Sequence, residues 1–553
     1  MKRQAKPGRA TRGARLSAEP VRGFLGGGSA TEHPLDLPLQ AIALIALEAE
    51  GLRGILTILD PQARRVRGWT IDDDGSRSFA FVAEEAGTYR VQLAAGAGAG
   101  NYRLTLIQTL SLEERVRPVA NPRLESSRIQ QLRAALTVRP ERALASFWRE
   151  AAAEGTPLRE ADPRDPRMTL CTFLWRGNAA TRNVRVHLLY RTTLPNDYDL
   201  ALLPGTDVWH TTIRLPSQGR FAYTLLVNAP SLAPPDIDSA PEHKLLYFAV
   251  SQADPLNPRR CFDEPGSRYE ALSPLVLPDA PPQPWTQERP DVARGALRRV
   301  TFKSELLQDE RHVSVYTPSG YSAGAKPYGL LFVFDEQWYL SRVPTPTILD
   351  NLLADGKIPP LVAILIGNGP GDARSRQLPC HPLFADFMVK ELIPWVQRHY
   401  NVTAEPGRTI IAGASYGGLA ATYVALRYPE RFGNVLSQSG SYWWQPPVKP
   451  DRSNEFNPYR EGNYIAALVI QRPKLALRFY LDAGTGEIDR TGNGRSILAA
   501  NRHLRDVLLA KGYEVHYREF VGGHDFLSWR GTLADGLIAL SAGWAGAGPP
   551  PDC

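Results

Sequence analysis

Four patterns of apolar and polar positions succeed one another along the chain. Residues 21 to 110 alternate with a period of two, which predicts β-strands. Gly54-Ile-Leu-Thr-Ile-Leu59 ends at the turn Asp60-Pro61, and Ser78-Phe-Ala-Phe-Val82 alternates. Gly87-Thr-Tyr-Arg-Val-Gln-Leu93 and Gly100-Asn-Tyr-Arg-Leu-Thr-Leu106 read as two strands paired across a Gly/Ala-rich loop. Residues 111 to 165 are polar and partly helical, over Ser127 to Leu136 and Glu141 to Glu154, and read as a connector. Residues 166 to 285 return to short strands, including Thr169 to Trp175, Asn183 to Leu189 and Phe221 to Val227. These predict a second β-sandwich after the one at 21 to 110. The Pro-rich run Pro278 to Pro284 marks a linker. From about 286 onward strands alternate with helices, as in a doubly wound, mostly parallel sheet.

The chemistry concentrates in that last stretch. Gly413-Ala-Ser415-Tyr-Gly417 follows the apolar run Thr409 to Ala412 and opens into the helix-forming run Leu419 to Leu426. Strand, sharp turn and helix around GxSxG predict an α/β-hydrolase with Ser415 as nucleophile. A serine hydroxyl needs a base, and the base needs an acid to orient it. Chain order in such enzymes is serine, acid, histidine.

Three histidines follow the serine. His503 falls within a helical stretch and His516 within a strand, Glu514 to Phe520. His524 lies just past that strand, on the Gly-rich loop Val521-Gly-Gly-His524, and is the expected base. The strand Leu475 to Leu481 precedes three candidate acids, Asp482, Glu487 and Asp489. Glu487 is favoured because it stands beyond the strand end on a loop that can face His524. Asp525, adjacent to His524, is badly placed to orient its neighbour's ring. The expected oxyanion donors are the backbone N–H of Tyr416 and that of Glu336 or Gln337, after the strand Tyr328 to Phe334.

Composition changes this picture little. The 553 residues carry 64 basic and 57 acidic side chains, a net charge of +7. No basic–aromatic stripe points to nucleic acid, and no run reaches the roughly 18 apolar residues that span a bilayer. Cys171, Cys261, Cys380 and Cys553 are scattered, which predicts neither a metal site nor a disulfide framework. No cofactor is implied. The first 18 residues hold six basic side chains and no acid, with no apolar stretch behind them. They read as a disordered basic tail over residues 1 to 20 rather than a secretory signal, so a cytoplasmic enzyme is expected. Asp72-Asp-Asp-Gly75 lacks the spacing of a calcium loop and predicts a hairpin turn.

Several motifs resemble the enterochelin (enterobactin) esterase family. They are Tyr428-Pro-Glu-Arg-Phe-Gly433, Val435-Leu-Ser-Gln-Ser-Gly-Ser-Tyr-Trp-Trp444, Gly522-Gly-His-Asp525 with Trp529-Arg-Gly531, and upstream Gly205-Thr-Asp-Val-Trp209 and Ala253-Asp-Pro-Leu-Asn-Pro258. The likeness runs from about residue 145 to 542. It implies a serine esterase that cleaves a ferric catecholate siderophore, with Ser415 and His524 as nucleophile and base and Glu487 at a carboxylate position. It departs at Glu336, where the family usually has Gly, and at Gln377, where the family usually has Glu. Residues 21 to 110 are similar to the pre-peptidase C-terminal domain, a β-sandwich often attached to exported enzymes.

A ferric catecholate is an anion with exposed aromatic rings, so Arg and Trp near the catalytic loops are the expected substrate contacts: Trp338, Arg374, Trp443, Trp444, Trp529 and Arg530. For any one Trp the competing expectation is core packing, and for Arg374 a salt bridge. The rival functions are a feruloyl or acetyl esterase of polysaccharides and a non-catalytic siderophore-binding protein. Intact Ser415 and His524 argue against the latter.

Overall fold

The computed structural model describes residues 10–72, 74–96, 98–115, 126–189, 197–230, 241–262, 271–446, 464–488 and 496–544. The chain forms two compact units, one of Met1–Leu188, Pro195–Ser217 and Ala222–Pro278, the other of Leu189–Leu194, Gln218–Phe221 and Asp279–Cys553.

The first unit is β-rich. A five-stranded sheet runs in the order Thr11–Arg12, Ala30–Leu37, Gly87–Ala95, Gly54–Leu59, Arg65–Ile71. A four-stranded sheet runs Val21–Leu25, Gly100–Leu110, Ile42–Glu50, Gly75–Val82. Their alternating side chains meet in one core that includes Leu37, Ile58, Tyr89 and Leu93 from the first sheet and Ile45, Phe79, Phe81 and Leu104 from the second.

The expected disordered tail over residues 1 to 20 is corrected for its described part: Thr11–Arg12 pairs with Ala30–Leu37 and Leu16 is buried in this core, and residues 1–9 lie outside the described residues. Two sequence-based pairings are also overturned here. Gly87–Ala95 and Gly100–Leu110 lie in different sheets, so the Gly/Ala-rich loop crosses between sheets instead of closing a hairpin. Asp72 to Gly75 likewise links Arg65–Ile71 in one sheet to Gly75–Val82 in the other. Period-two alternation says which face of a strand is buried and nothing about which strand lies beside it. Asp72 and Asp74 face Arg77 and Arg53, and Asp73 lies outside the described residues.

Strand Ile42–Glu50 begins as a continuous apolar run because both its faces are covered there. Ile42 and Leu44, with Ala80 and Val82, pack against Leu226, Leu246 and Tyr247 of the following β-region. That region holds a sheet ordered Leu158–Ala161, Met168–Arg176, Val208–Pro216, Ala201–Leu202 and another built on Val184–Leu188 and Arg220–Val227. Helices Ser127–Leu136 and Pro140–Glu154 occur where helical stretches are expected, the second starting one residue earlier. They are more than a connector: Ile129, Phe147 and Trp148 pack on Leu158, Leu174 and Val208, and Leu158–Ala161 is an edge strand.

The second unit is an eight-stranded mixed sheet flanked by helices. Its order is Ala296–Ser304, Asp309–Thr317, Leu361–Ile366, Gly329–Phe334, Thr409–Ala414, Asn434–Gln438, Arg478–Gly484, Glu514–Phe520. The first two junctions are antiparallel and the rest parallel. Central strands such as Gly329–Phe334 and Leu361–Ile366 are buried along their whole length, as strands covered on both faces must be. Their consecutive carboxyl ends carry the loops that hold Asp335, Ser415, Ser439, Glu487 and His524, and such an edge is where α/β sheets bind ligands. Among the described residues no helix is long and apolar enough to cross a membrane.

Candidate active site

Strand Thr409–Ala414 ends at Ser415, and helix Tyr416–Arg427 begins at the next residue. Ser415 has φ 58° and ψ −119°, a conformation costly for a residue with a side chain. The glycines around it make the turn possible. A Cβ on Gly413 would stand 2.6 Å from the Gly417 carbonyl carbon, and one on Gly418 would stand 2.4 Å from Ser437 Oγ. Gly418, one position beyond the motif, is also crowded, with Gly440 Cα at 3.1 Å and Gly413 O at 3.2 Å from the same Cβ position. The Ser415 N–H donates to the Gln438 carbonyl at 2.9 Å. Among the described residues, the Ser415 hydroxyl is hydrogen-bonded to Ser441 Oγ at 3.1 Å.

Glu487 and His524 come together. Strand Arg478–Gly484 ends three residues before Glu487, whose side chain is fully buried. Glu487 Oε1 lies 2.5 Å from His524 Nδ1, and Glu487 Oε2 accepts the Gly484 N–H at 2.6 Å. The two loops are laced by backbone bonds, Thr485 N–H to Phe520 O at 2.9 Å and Gly486 N–H to Gly522 O at 3.0 Å. A Cβ on Gly484 would sit 2.5 Å from Gly522 O, so this close approach requires glycine there. With Nδ1 bound to a carboxylate, Nε2 is left as the proton acceptor.

The other candidates are placed elsewhere. Asp525 Oδ1 caps helix Phe526–Ser541 by accepting the Leu527 N–H at 2.6 Å. Asp489 lies outside the described residues. His516 pairs with Glu514 on the exposed last strand, and His503 sits in helix Ile497–Ala510. Asp482 is buried in the sheet and accepts the Ser439 N–H at 3.0 Å. Burial, with the nearby charge of Glu487, pushes its carboxyl up to about 8. Folded protein therefore holds a proton on Asp482 that the unfolded chain has lost above about pH 4. The stability this gives is full below about pH 4 and lost as pH rises to about 8. Asp482→Asn should flatten the fall in Tm between about pH 4 and pH 8. An unchanged slope in that variant would assign the fall to another group.

Asp335, at φ 62°, turns the chain from strand Gly329–Phe334 into helix Glu336–Ser341. The Glu336 side chain is 1 % exposed and turns away to Arg299 Nε at 2.8 Å and Ser314 Oγ at 2.7 Å. Its backbone N–H, at the first position of the helix, has no partner within that helix. Tyr416 stands in the same position at the start of its own helix.

Arg374 forms a two-pronged pair with Asp335, Nε to Oδ1 at 2.7 Å and Nη2 to Oδ2 at 2.9 Å. Its guanidinium lies 5.0 Å from the Trp338 ring centre and 5.8 Å from that of Tyr416. The salt-bridge expectation thus holds for its charge, while the stack places it beside the elbow. Gln377, on the same short helix Ala373–Gln377, accepts from Arg311 and donates to Asp309, both at 2.8 Å. Asp309 already neutralises Arg311 at 2.6 Å, so a neutral amide at 377 avoids a surplus buried carboxylate. Gln377 is a structural adjustment that anchors the helix carrying Arg374.

The tryptophans divide. Trp529 is 3 % exposed; its ring stands at 89° to the His524 ring with centres 4.7 Å apart, and its N–H donates to Ser439 Oγ at 2.9 Å. It backs the imidazole and has no open face for a ligand, so the substrate contact expected of it gives way to core packing. Trp338, Trp443 and Trp444 are half-buried, Trp443 6.1 Å from the Tyr416 ring and Trp444 5.7 Å from Tyr464. Arg530 Nε donates to Gln283 at 2.8 Å. Sequence reasoning passed over Ser439, Ser441 and Gln438. Their segment carries a family-like signature, but GxSxG logic gives it no chemical part.

Comparison with known proteins fits this geometry. Residues 170–286 match the family model for the enterochelin esterase N-terminal domain, and 304–540 match that of putative esterases. An iron(III) enterobactin esterase of Dickeya dadantii is 33% identical over 74% of this chain and 96% of its own length. One from Escherichia coli K12 is 32% identical over 67% of this chain and 90% of its own. The enterobactin esterase of Shigella flexneri, solved in the presence of enterobactin, superposes with a TM-score of 0.57 at 30% identity, covering 71% of this chain and 97% of that one. A strained serine at the elbow of an α/β-hydrolase sheet, with relatives of this coverage, makes the chain a carboxylic ester hydrolase and a member of the enterobactin (enterochelin) esterase family.

Proposed function

We propose that this protein hydrolyses the ester bonds of a ferric catecholate siderophore, an enterobactin-like trilactone, through Ser415, His524 and Glu487. The observation that carries the reading is the 2.5 Å contact between His524 and buried Glu487, on the loops next to the elbow, in a chain of this family. His524 Nε2 takes the Ser415 proton as Oγ attacks the ester carbonyl. Among the described residues Ser415 and His524 share no hydrogen bond, so proton transfer requires one to form in the substrate complex, as is common where an empty site holds its groups loosely. The oxyanion rests on the N–H groups of Tyr416 and Glu336. His524 then hands its proton to the leaving serine hydroxyl, and water, activated by the same imidazole, releases the acyl group. Iron arrives as part of the substrate. The first cleavage opens the ring to a linear trimer, and cleavage of the remaining esters separates the three catecholates, which lowers their effective concentration around the iron and weakens chelation.

Trp338, Trp443 and Trp444 offer aromatic surface to the catechol rings, Arg530 offers a cation, and Arg374 lies beside Trp338 and Tyr416. Asp335 balances the charge of Arg374, so this arginine contributes mainly a planar, stacked surface. Residues 21–110 and 166–285 make two β-sandwich domains in this reading, supported for the first by its shared core. Cys171 and Cys380 are buried free thiols, as suits the cytoplasm.

Mass spectrometry of products tests the assignment. Incubation with ferric enterobactin, and with its iron-free form, should yield linear and monomeric 2,3-dihydroxybenzoyl-serine. Ser415→Ala should leave both trilactones intact. Trilactones that survive wild-type enzyme while a p-nitrophenyl ester is cleaved would move the substrate to another ester class.

A further inference from the structure

The loop after strand Asn434–Gln438 brings two hydroxyls, two residues apart, to the two halves of the site. Ser439 Oγ accepts the N–H of Trp529, the ring that backs His524. Ser441 Oγ lies 3.1 Å from Ser415 Oγ, and the Ser441 N–H donates to the Ser415 carbonyl at 3.0 Å. We propose that Ser441 is a positioning residue for hydrolysis at Ser415: its hydroxyl donates to Ser415 Oγ, holding that oxygen in place and leaving the Ser415 proton for His524. This rests on the catalytic reading above.

The turn is built to hold that hydroxyl still. Ser439 has φ 47°, a left-handed conformation that side chains avoid and that its surroundings must enforce. Its N–H is bound to buried Asp482 at 3.0 Å. A Cβ on Gly440 would stand 2.5 Å from both Ser437 Oγ and the Tyr442 ring, so only glycine fits. The Gly440 carbonyl accepts from Asn501 Nδ2 at 2.8 Å. Ser441 itself is 1 % exposed, and among the described residues its hydroxyl bonds to Ser415.

The direction of donation follows from the chemistry. If Ser415 donated to Ser441, its proton would point away from the base at the moment of attack. With Ser441 as donor, the Ser415 proton passes to His524 Nε2 and then to the leaving alcohol, while the Ser441 proton stays where it is. The bond strengthens as charge develops on Oγ, because hydrogen bonds to ionised acceptors are about twice as strong as neutral ones.

The test reads the nucleophile apart from substrate binding. Ser441→Ala should slow inactivation by a fluorophosphonate about tenfold and lower kcat for a p-nitrophenyl ester by the same factor, the usual scale for losing a hydrogen bond to a charged group. KM should change less than about twofold. Ser441→Cys fills the same space with a weak donor and should be as slow as Ser441→Ala. A role in packing alone predicts that Cys restores the rate. Full reactivity in either variant overturns the proposal. Ser415→Ala, measured alongside, separates the two readings: if it still hydrolyses ester, the catalytic assignment itself fails. If it is dead while the Ser441 variants are fully active, only the role of Ser441 is lost.

Discussion

Ser415→Ala is expected to lower kcat for every ester substrate by about four to six orders of magnitude, the scale seen when a triad serine is removed. The loss follows from the backbone. Ser415 is held at φ 58° at the end of Thr409–Ala414, so its hydroxyl is the group the fold presents at the carboxyl edge of the sheet. Alanine fits the same turn, so Tm should stay within a few degrees of wild type. Steady-state kinetics on a p-nitrophenyl ester, with Tm by calorimetry, checks both halves. An active Ser415→Ala enzyme would transfer the chemistry elsewhere, and neighbouring Ser441 would be the first residue to examine.

Glu487→Gln is expected to lower kcat by about 10⁴-fold with little change in KM, the magnitude that follows when a triad carboxylate becomes an amide. Glu487 accepts from two donors at once, His524 Nδ1–H at Oε1 and the Gly484 N–H at Oε2. An amide has one acceptor oxygen, so one of those donors must face an NH₂ group. If His524 yields, its ring takes the wrong tautomer and Nε2 no longer accepts. The negative charge that stabilises the imidazolium is lost either way. The side chain is fully buried, so no water can stand in for the missing acceptor. A loss below about tenfold would remove Glu487 from the proton path and return attention to Asp482.

Local signals carried much of this site. The elbow was legible because glycines, an apolar run and a helix-forming run surround one serine within twenty residues. Glu487 and His524 were legible because each follows a predicted strand on a glycine-bearing loop, and loops at one sheet edge converge. What stayed hidden depends on contacts across the sheet. Ser441 reaches Ser415 because Asn434–Gln438 lies beside Thr409–Ala414, with Ala414 level with Gln438. No spacing in the chain reveals that register. Trp529 reads alike as ligand surface or core until His524 is seen against it. In the first unit, alternation identified strands but assigned Gly87–Ala95 and Gly100–Leu110 to one sheet, when the shared core lies between two.

The central claim is that ester cleavage passes through an acyl group on Ser415, and acid-quenched enzyme answers it directly. Wild-type protein mixed with excess trilactone, quenched within the first turnovers and digested, should carry the ring-opened linear trimer of dihydroxybenzoyl-serine as an acyl adduct on the peptide containing Ser415. Products accumulating while that peptide stays unmodified at every quench time, or an adduct on the peptide containing Ser441, would contradict the account.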